Sequence, residues 1–300
     1  MKNIIRYFLF LLVFAVIGTF LIACYFTFFR KGDTQDKKNV SSELQDALFL
    51  SPENGLTKLY RLSNGQYENI PRGQGSSVQT VARQGEDIVE IQSLSNGDFS
   101  LVVNGVVAYS SQLPKMGGVL SSDKKFVAYM EAAENLPSDT KKEEKKPLNW
   151  QIMIFEVASG NRTTIGTGLY PIFTDTSHVA WFSSQGIRVA DFINGNVATV
   201  DSFSSNSLAF SPVQSPDGKL IAWADNTNRT VSVRSINATS SLETIAAINT
   251  QGPFIALGND ALYNLVAGKE GGTDVLRYSF GGGEPTRVHH FDSIVTKLLP

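Results

Sequence analysis

The feature that most constrains this fold is a short unit that returns roughly every forty residues, as repeat folds do. It is best preserved at Ser215-Pro216-Asp217-Gly218-Lys219-Leu220-Ile221-Ala222-Trp223-Ala224. Ser, Pro, Asp and Gly in that order suit a type I turn, with Gly free to take the positive φ that follows, and the apolar residues run on as a strand. Degraded copies stand at Ser121 to Tyr129, Thr174 to Trp181, Asn259 to Tyr263, Gln45 to Phe49 and, most weakly, Gly85 to Ile91. Aligned on Phe49, Ile91, Tyr129, Trp181, Trp223 and Tyr263, successive copies lie 42, 38, 52, 42 and 40 residues apart. The long interval holds the charged stretch Glu134 to Pro147. After each anchor comes a second strand ending in a Gly or Asn turn, most clearly Asn64-Gly65, Asn104-Gly105 and Asn194-Gly195, the strongest short-range hairpin signal. A small antiparallel sheet cannot bury both faces until neighbouring sheets pack on it. The period therefore predicts an all-β, six-bladed β-propeller over residues 44–300, with the insert at 134–147 as a solvated loop.

Residues 1–29 stand apart. From Tyr7 to Phe29 there are 23 residues without a charge, which as a helix would be about 34 Å long, enough to span a hydrocarbon core. Aromatic residues gather at both ends, as in an interfacial belt. The expected structure is one N-terminal transmembrane helix. A rival is a signal segment: Leu21-Ile22-Ala23-Cys24 resembles a bacterial lipobox, which makes Cys24 a candidate lipidation site. Against lipidation, Tyr25 to Phe29 continues the apolar run where a lipoprotein tether is polar. Residues 30–43 read as a flexible tether. Lys2 and Arg6 before the span and Arg30, Lys31, Lys37 and Lys38 after it leave orientation undecided by the positive-inside rule.

Composition and side-chain inventory narrow the chemistry. With 26 Lys+Arg against 28 Asp+Glu the net charge is -2, so there is no basic footprint for nucleic acid. Cys24 is the sole cysteine, which excludes an intrachain disulfide and a Cys-based zinc site. A Ser nucleophile needs a base, yet His178, His289 and His290 are the only histidines and no Gly-x-Ser-x-Gly elbow occurs. His178 sits at the start of a repeat strand and reads as structural. His289 and His290 are neighbours on a strand and point to opposite faces, so at most one of them could converge with Asp292 on a metal. Gly281-Gly282-Gly283 follows a strand and lacks a following Lys-Ser, so it reads as a hairpin turn and not a phosphate loop. Asp123, Asp175 and Asp217 are expected to cap their own turns. The sequons at Asn39, Asn161, Asn228 and Asn237 matter only in a glycosylating host. No catalytic, cofactor-binding or metal-binding residue is expected.

The Ser-Pro-Asp-Gly-Lys unit with its apolar-Ala-aromatic strand resembles the TolB-type propeller repeat, which is similar in layout to the WD-repeat and to the propellers of prolyl-oligopeptidase-like enzymes. The resemblance covers about residues 44 to 295 and is strongest from Ser121 to Arg287. It implies a ring closed by pairing strands from the two chain ends, with Ile294 to Leu298 beside the strand around Leu48, or the reverse. It also implies a domain outside the cytoplasm, at the cell surface or in the periplasm. Such motifs specify fold far better than function. The expected function is a single-pass, membrane-anchored, non-catalytic scaffold that binds a protein, peptide or envelope component on a propeller face, without cofactors. Two alternatives are a propeller partner of a separately encoded hydrolase and an enzyme that uses the central channel.

Overall fold

The computed structural model describes residues 42–73, 75–134, 149–183, 186–201, 212–224, 230–236, 242–252 and 254–300. The expected anchor at 1–29 with Cys24, nearly all of the tether, and the insert from 135 onward lie outside the described residues. Among those described, no helix is long and apolar enough to cross a membrane. Among the described residues a 3-10 turn at Ser42–Leu44 leads into 24 strands.

The strands form six four-stranded antiparallel sheets, each built from four strands that are consecutive in the chain except where the ring closes. The first blade holds β1 (Leu48–Glu53), β2 (Leu56–Ser63) and β3 (Gln66–Asn69). The second holds β4 (Ser77–Gln84), β5 (Asp87–Ser93), β6 (Phe99–Val103) and β7 (Val106–Ser111). The third is β8 (Lys115–Leu120), β9 (Phe126–Ala132), β10 (Trp150–Glu156) and β11 (Arg162–Thr167). The fourth is β12 (Leu169–Phe173), β13 (His178–Ser183), β14 (Gly186–Asp191) and β15 (Asn196–Asp201). The fifth is β16 (Val213–Gln214), β17 (Leu220–Ala224), β18 (Thr230–Ile236) and β19 (Leu242–Asn249). The sixth is β20 (Phe254–Leu257), β21 (Ala261–Ala267), β22 (Thr273–Ser279) and β23 (Thr286–Phe291). The last strand, β24 (Lys297–Leu299), returns to the first blade and pairs antiparallel with β1, Leu48 opposite Leu299 and Leu50 opposite Lys297. The ends of the propeller are thus joined within one sheet, through residues slightly later than the 294–298 that the resemblance implied.

All six sequence anchors fall on the second strand of a blade and all are buried. Side chains alternate across a strand, so each second strand sends one set toward the preceding blade and the other toward the next. Among the described residues six apolar clusters result, one for each interface between neighbouring blades. Trp181 and Phe182 illustrate the alternation: Trp181 packs with Met130 of the third blade, Phe182 with Trp223 of the fifth. Phe49, Phe291, Tyr263 and Leu298 close the interface between the sixth and first blades.

This pattern corrects the alignment in two copies. Phe49, Tyr129, Trp181 and Trp223 face the preceding blade, but Ile91 and Tyr263 pack toward the following one. On the strand face that carries the aromatic elsewhere, blades two and six hold Glu90 and Asn264, both fully buried. Each is compensated, as burial of a polar group demands. Glu90 accepts bidentate bonds from Arg72 and one from Gln92 at 2.9 Å. Asn264 donates to the carbonyls of Gly252 and Phe254 and accepts from the Gln251 N–H. Apart from Gln92 on β5 itself, the partners lie where the chain arrives from the preceding blade, Arg72, Gln251 and Gly252 in the linker and Phe254 at the start of β20. Ser51 Oγ bonds the Ile294 carbonyl at 2.8 Å, Trp181 Nε1 bonds the Thr167 carbonyl at 3.0 Å, and Glu131 meets Lys115 at 3.1 Å in the same way. The second strand therefore pins the crossing from one blade to the next, through whichever polar group the sequence supplies.

The tight turns behave as the sequence leads one to expect. Gly218 N–H donates to the Ser215 carbonyl at 2.9 Å with Gly218 at φ +74°, while Asp217 Oδ1 accepts from Ser215 Oγ and the Lys219 N–H. Asp123 repeats these contacts with Ser121 and Lys125. There the glycine position is occupied by Lys124, held at φ +64°, a conformation that costs a side-chain-bearing residue about 1 kcal/mol.

Candidate functional site

The first strand of each blade lines the centre of the ring. There β4, β8, β12, β16, β20 and β24 enclose a cavity of about 500 Å³, a volume typical of small-molecule sites. The outermost strands β3, β7 and β11 are largely exposed, which fixes the sense of the blades. Residues of the turns between first and second strands, Glu86, Ser215 to Asp217 and Asn259, also line the cavity, as does Gln45. The channel therefore opens on the face that carries the Ser-Pro-Asp-Gly turn and its copies.

Met116, Tyr170 and Val213 present apolar surface to the cavity, backed by Ile172, Met130 and Leu257, which are buried between the blades. Gly118 belongs to this wall because a Cβ there would come within 2.9 Å of Val89. Most polar groups of the lining are engaged. Thr80 Oγ1 accepts the Gly117 N–H at 3.1 Å, and Gln214 Nε2 donates to the carbonyls of Phe173 and Gly218. Arg83 donates to the carbonyls of Gly85 and Asp46 and lies 3.4 Å from Glu86. Asn259 Oδ1 accepts the Asp217 N–H at 3.2 Å, which ties the turns of blades five and six together at the mouth. Lys297 differs. It lines the channel half-buried, and burial pulls its pKa down to about 8, with no neighbouring charge or hydrogen bond to offset it.

The residues singled out in the sequence lie elsewhere. His178 Nδ1 is 2.8 Å from Asp175, its own turn residue. Burial pushes the Asp175 carboxyl up, but the N–H groups of Ser177 and His178 and the His178 ring outweigh it and hold the group below the usual carboxylate range. His289 is buried against Tyr67 and Phe291, edge to face. His290 points the other way, with Nδ1 2.6 Å from Asp274 and Nε2 3.5 Å from Asp292. So the two histidines do separate, and His290 converges with Asp292. Among the described residues no group of three or more His, Cys, Asp or Glu is placed to hold a metal ion. Gly281 to Gly283 form the β22–β23 turn, where the Gly282 N–H donates to the Ser279 carbonyl. Asn161 stands exposed just before β11, whereas Asn39, Asn228 and Asn237 lie outside the described residues. Sequence reasoning missed Lys297, because nothing local distinguishes it from a surface lysine.

Fold and channel define the class: a six-bladed β-propeller with an open, mainly apolar central cavity. Among solved structures the chain is similar to TolB from Acinetobacter baumannii, at TM-score 0.57 and 13% identity over 87% of this chain and 67% of that one. It is similar also to an oligogalacturonate lyase in complex with manganese, at TM-score 0.55 and 14% identity over 82% of this chain and 74% of that one. A puromycin-hydrolyzing peptidase of Mycobacterium tuberculosis matches at TM-score 0.51 and 12% identity, over 81% of this chain and 44% of that one. At these identities the likeness is one of fold. No protein-family model matches the chain, and no curated protein matches it in sequence.

Proposed function

We propose that this chain is a non-catalytic propeller scaffold, held at a membrane by residues 1–29 with its ring outside the cytoplasm, and that it binds a protein, peptide or envelope component at the channel mouth. The observation that carries this reading is the mouth itself. Its turns are cross-tied by Asn259 and Asp217 and its Arg83 is fixed by backbone carbonyls, a rigid, ligand-sized opening of the kind recognition uses. TolB among the structural neighbours agrees with a binding scaffold, while the lyase and peptidase among them show that the same fold also serves enzymes. One observation favours the second reading, an enzyme that works in the channel: Lys297 lines the cavity without a described partner, burial pulls its pKa down to about 8, and a lysine in that range can exchange a proton near neutral pH.

Site-specific photocrosslinking in the native membrane tests the proposal. A photoreactive residue at Asn259 or Gln45 should give a discrete adduct, and one at Val106, exposed on the outer strand β7, should not. Adducts from the rim alone, or none from the mouth, would overturn it.

A further inference from the structure

We propose that Lys297 makes the channel a site for a small organic monocarboxylate, its charge on the lysine and its apolar body on the wall that Met116, Tyr170 and Val213 present to the cavity. The inference rests on the reading of the channel as a binding site. Four features of the cavity support it. First, Lys297 makes no hydrogen bond or ion pair with any described residue, whereas Arg83, the other cation of the lining, is already held. A half-buried ammonium without a counter-ion leaves a desolvation cost that a bound anion relieves. Second, β24 packs between β20 and β1, whose strands bring no charged residue toward it except Glu53 at the far end of β1. The remaining charged side chains of the lining, Glu86 and Asp217, belong to the turns at the mouth. Third, one cation set among apolar groups matches one negative charge; a dianion such as phosphate would bury a second charge uncompensated, with the mouth acids opposing it. Fourth, about 500 Å³ with Met116 and Tyr170 on its surface leaves room for an apolar group beside the carboxylate.

The carboxylate binds the ammonium form. Lys297 loses its proton above pH 8 in the empty channel, so affinity is level below that value and falls about tenfold per unit above it, until the raised pKa of the complex is reached. An arginine at this position stays charged throughout.

The test uses the full-length chain in lipid nanodiscs, with 4-fluorophenylacetate as the probe read by fluorine NMR. Lys297→Met should weaken binding at pH 7 at least about tenfold, the size of a lost charge-assisted hydrogen bond. Lys297→Arg should bind within a few-fold of wild type and lose the decline above pH 8, a readout that stands even if the methionine variant fails to fold. Inorganic phosphate should not displace the probe. Unchanged affinity in Lys297→Met, a decline above pH 8 that persists in Lys297→Arg, no probe binding at millimolar concentration, or displacement by phosphate would each overturn the inference. Mouth adducts without probe binding sink this inference and leave the scaffold reading standing; probe binding without mouth adducts does the reverse.

Discussion

Ending the chain after Thr296 should lower the melting transition of the propeller by about 10–20 °C, followed by circular dichroism, since roughly 5 kcal/mol is lost at 2–4 °C per kcal/mol. Leu298 is buried among Phe49, Phe291 and Tyr263 at the interface of the sixth and first blades. Deleting one such leucine side chain costs about 2–5 kcal/mol. The ladder to Leu48 through Leu50 goes with it, at about 1 kcal/mol per hydrogen bond. What remains is an apolar strand with an unpaired edge, which invites association. Leu298→Ala isolates the packing part and should cost about 2–5 kcal/mol without opening the ladder. A truncated chain that melts within about 2 °C of the intact one would show that β24 does not hold the ring, because a stabilising strand cannot be removed at so little cost.

Removing a single buried carboxylate should be nearly as damaging. Lys115 and Glu131 stand opposite one another on β8 and β9, both buried, 3.1 Å apart. Arg162 reaches the same carboxylate at 3.1 Å, and both cations lie over the Tyr109 ring of the neighbouring blade. Burial pulls the Lys115 ammonium below its usual pKa range, and Glu131 opposes that pull. Glu131→Ala leaves Lys115 charged and uncompensated, so it should cost about 3–5 kcal/mol in denaturant unfolding. Lys115→Met combined with Glu131→Leu should recover most of the loss, because a well-packed apolar pair avoids the desolvation of both charges. A single variant within about 1 kcal/mol of wild type would place the pair in a more water-like setting than its burial implies.

How far the sequence reveals this molecule follows from what each residue signals locally. The second strands of blades three, four and five were legible because a turn of Ser or Thr with Asp precedes an apolar run that ends in an aromatic. The third strands were legible because they end in Gly or Asn turns. In blades two and six the alignment slipped by one, since Glu90 and Asn264 occupy the buried face and a polar residue leaves no hydrophobic signal. Their burial depends on Arg72 and on the linker backbone near Gly252, partners that no local pattern announces. The first strands, which build the channel, were the hardest to read. The strand β16 has two residues, β24 has three, and β12 contains Pro171, all too short or interrupted to show a period. Lys297 becomes a channel residue only because the chain end returns to β1 across the whole length of the propeller.

The ring closes in one particular register, and a pair of engineered cysteines reads that register directly. With Cys24→Ser removing the native thiol, Leu48→Cys and Leu299→Cys place sulfurs on residues that stand opposite each other across β1 and β24. Leu48→Cys with Leu298→Cys is the control, because Leu298 pairs with Phe49 and its side chain leaves the opposite face. Mild oxidation of the folded protein should close the 48–299 disulfide nearly completely and leave the 48–298 pair reduced. Closure of the 48–298 pair instead, or of neither, would contradict the ring and with it the channel that Lys297 lines.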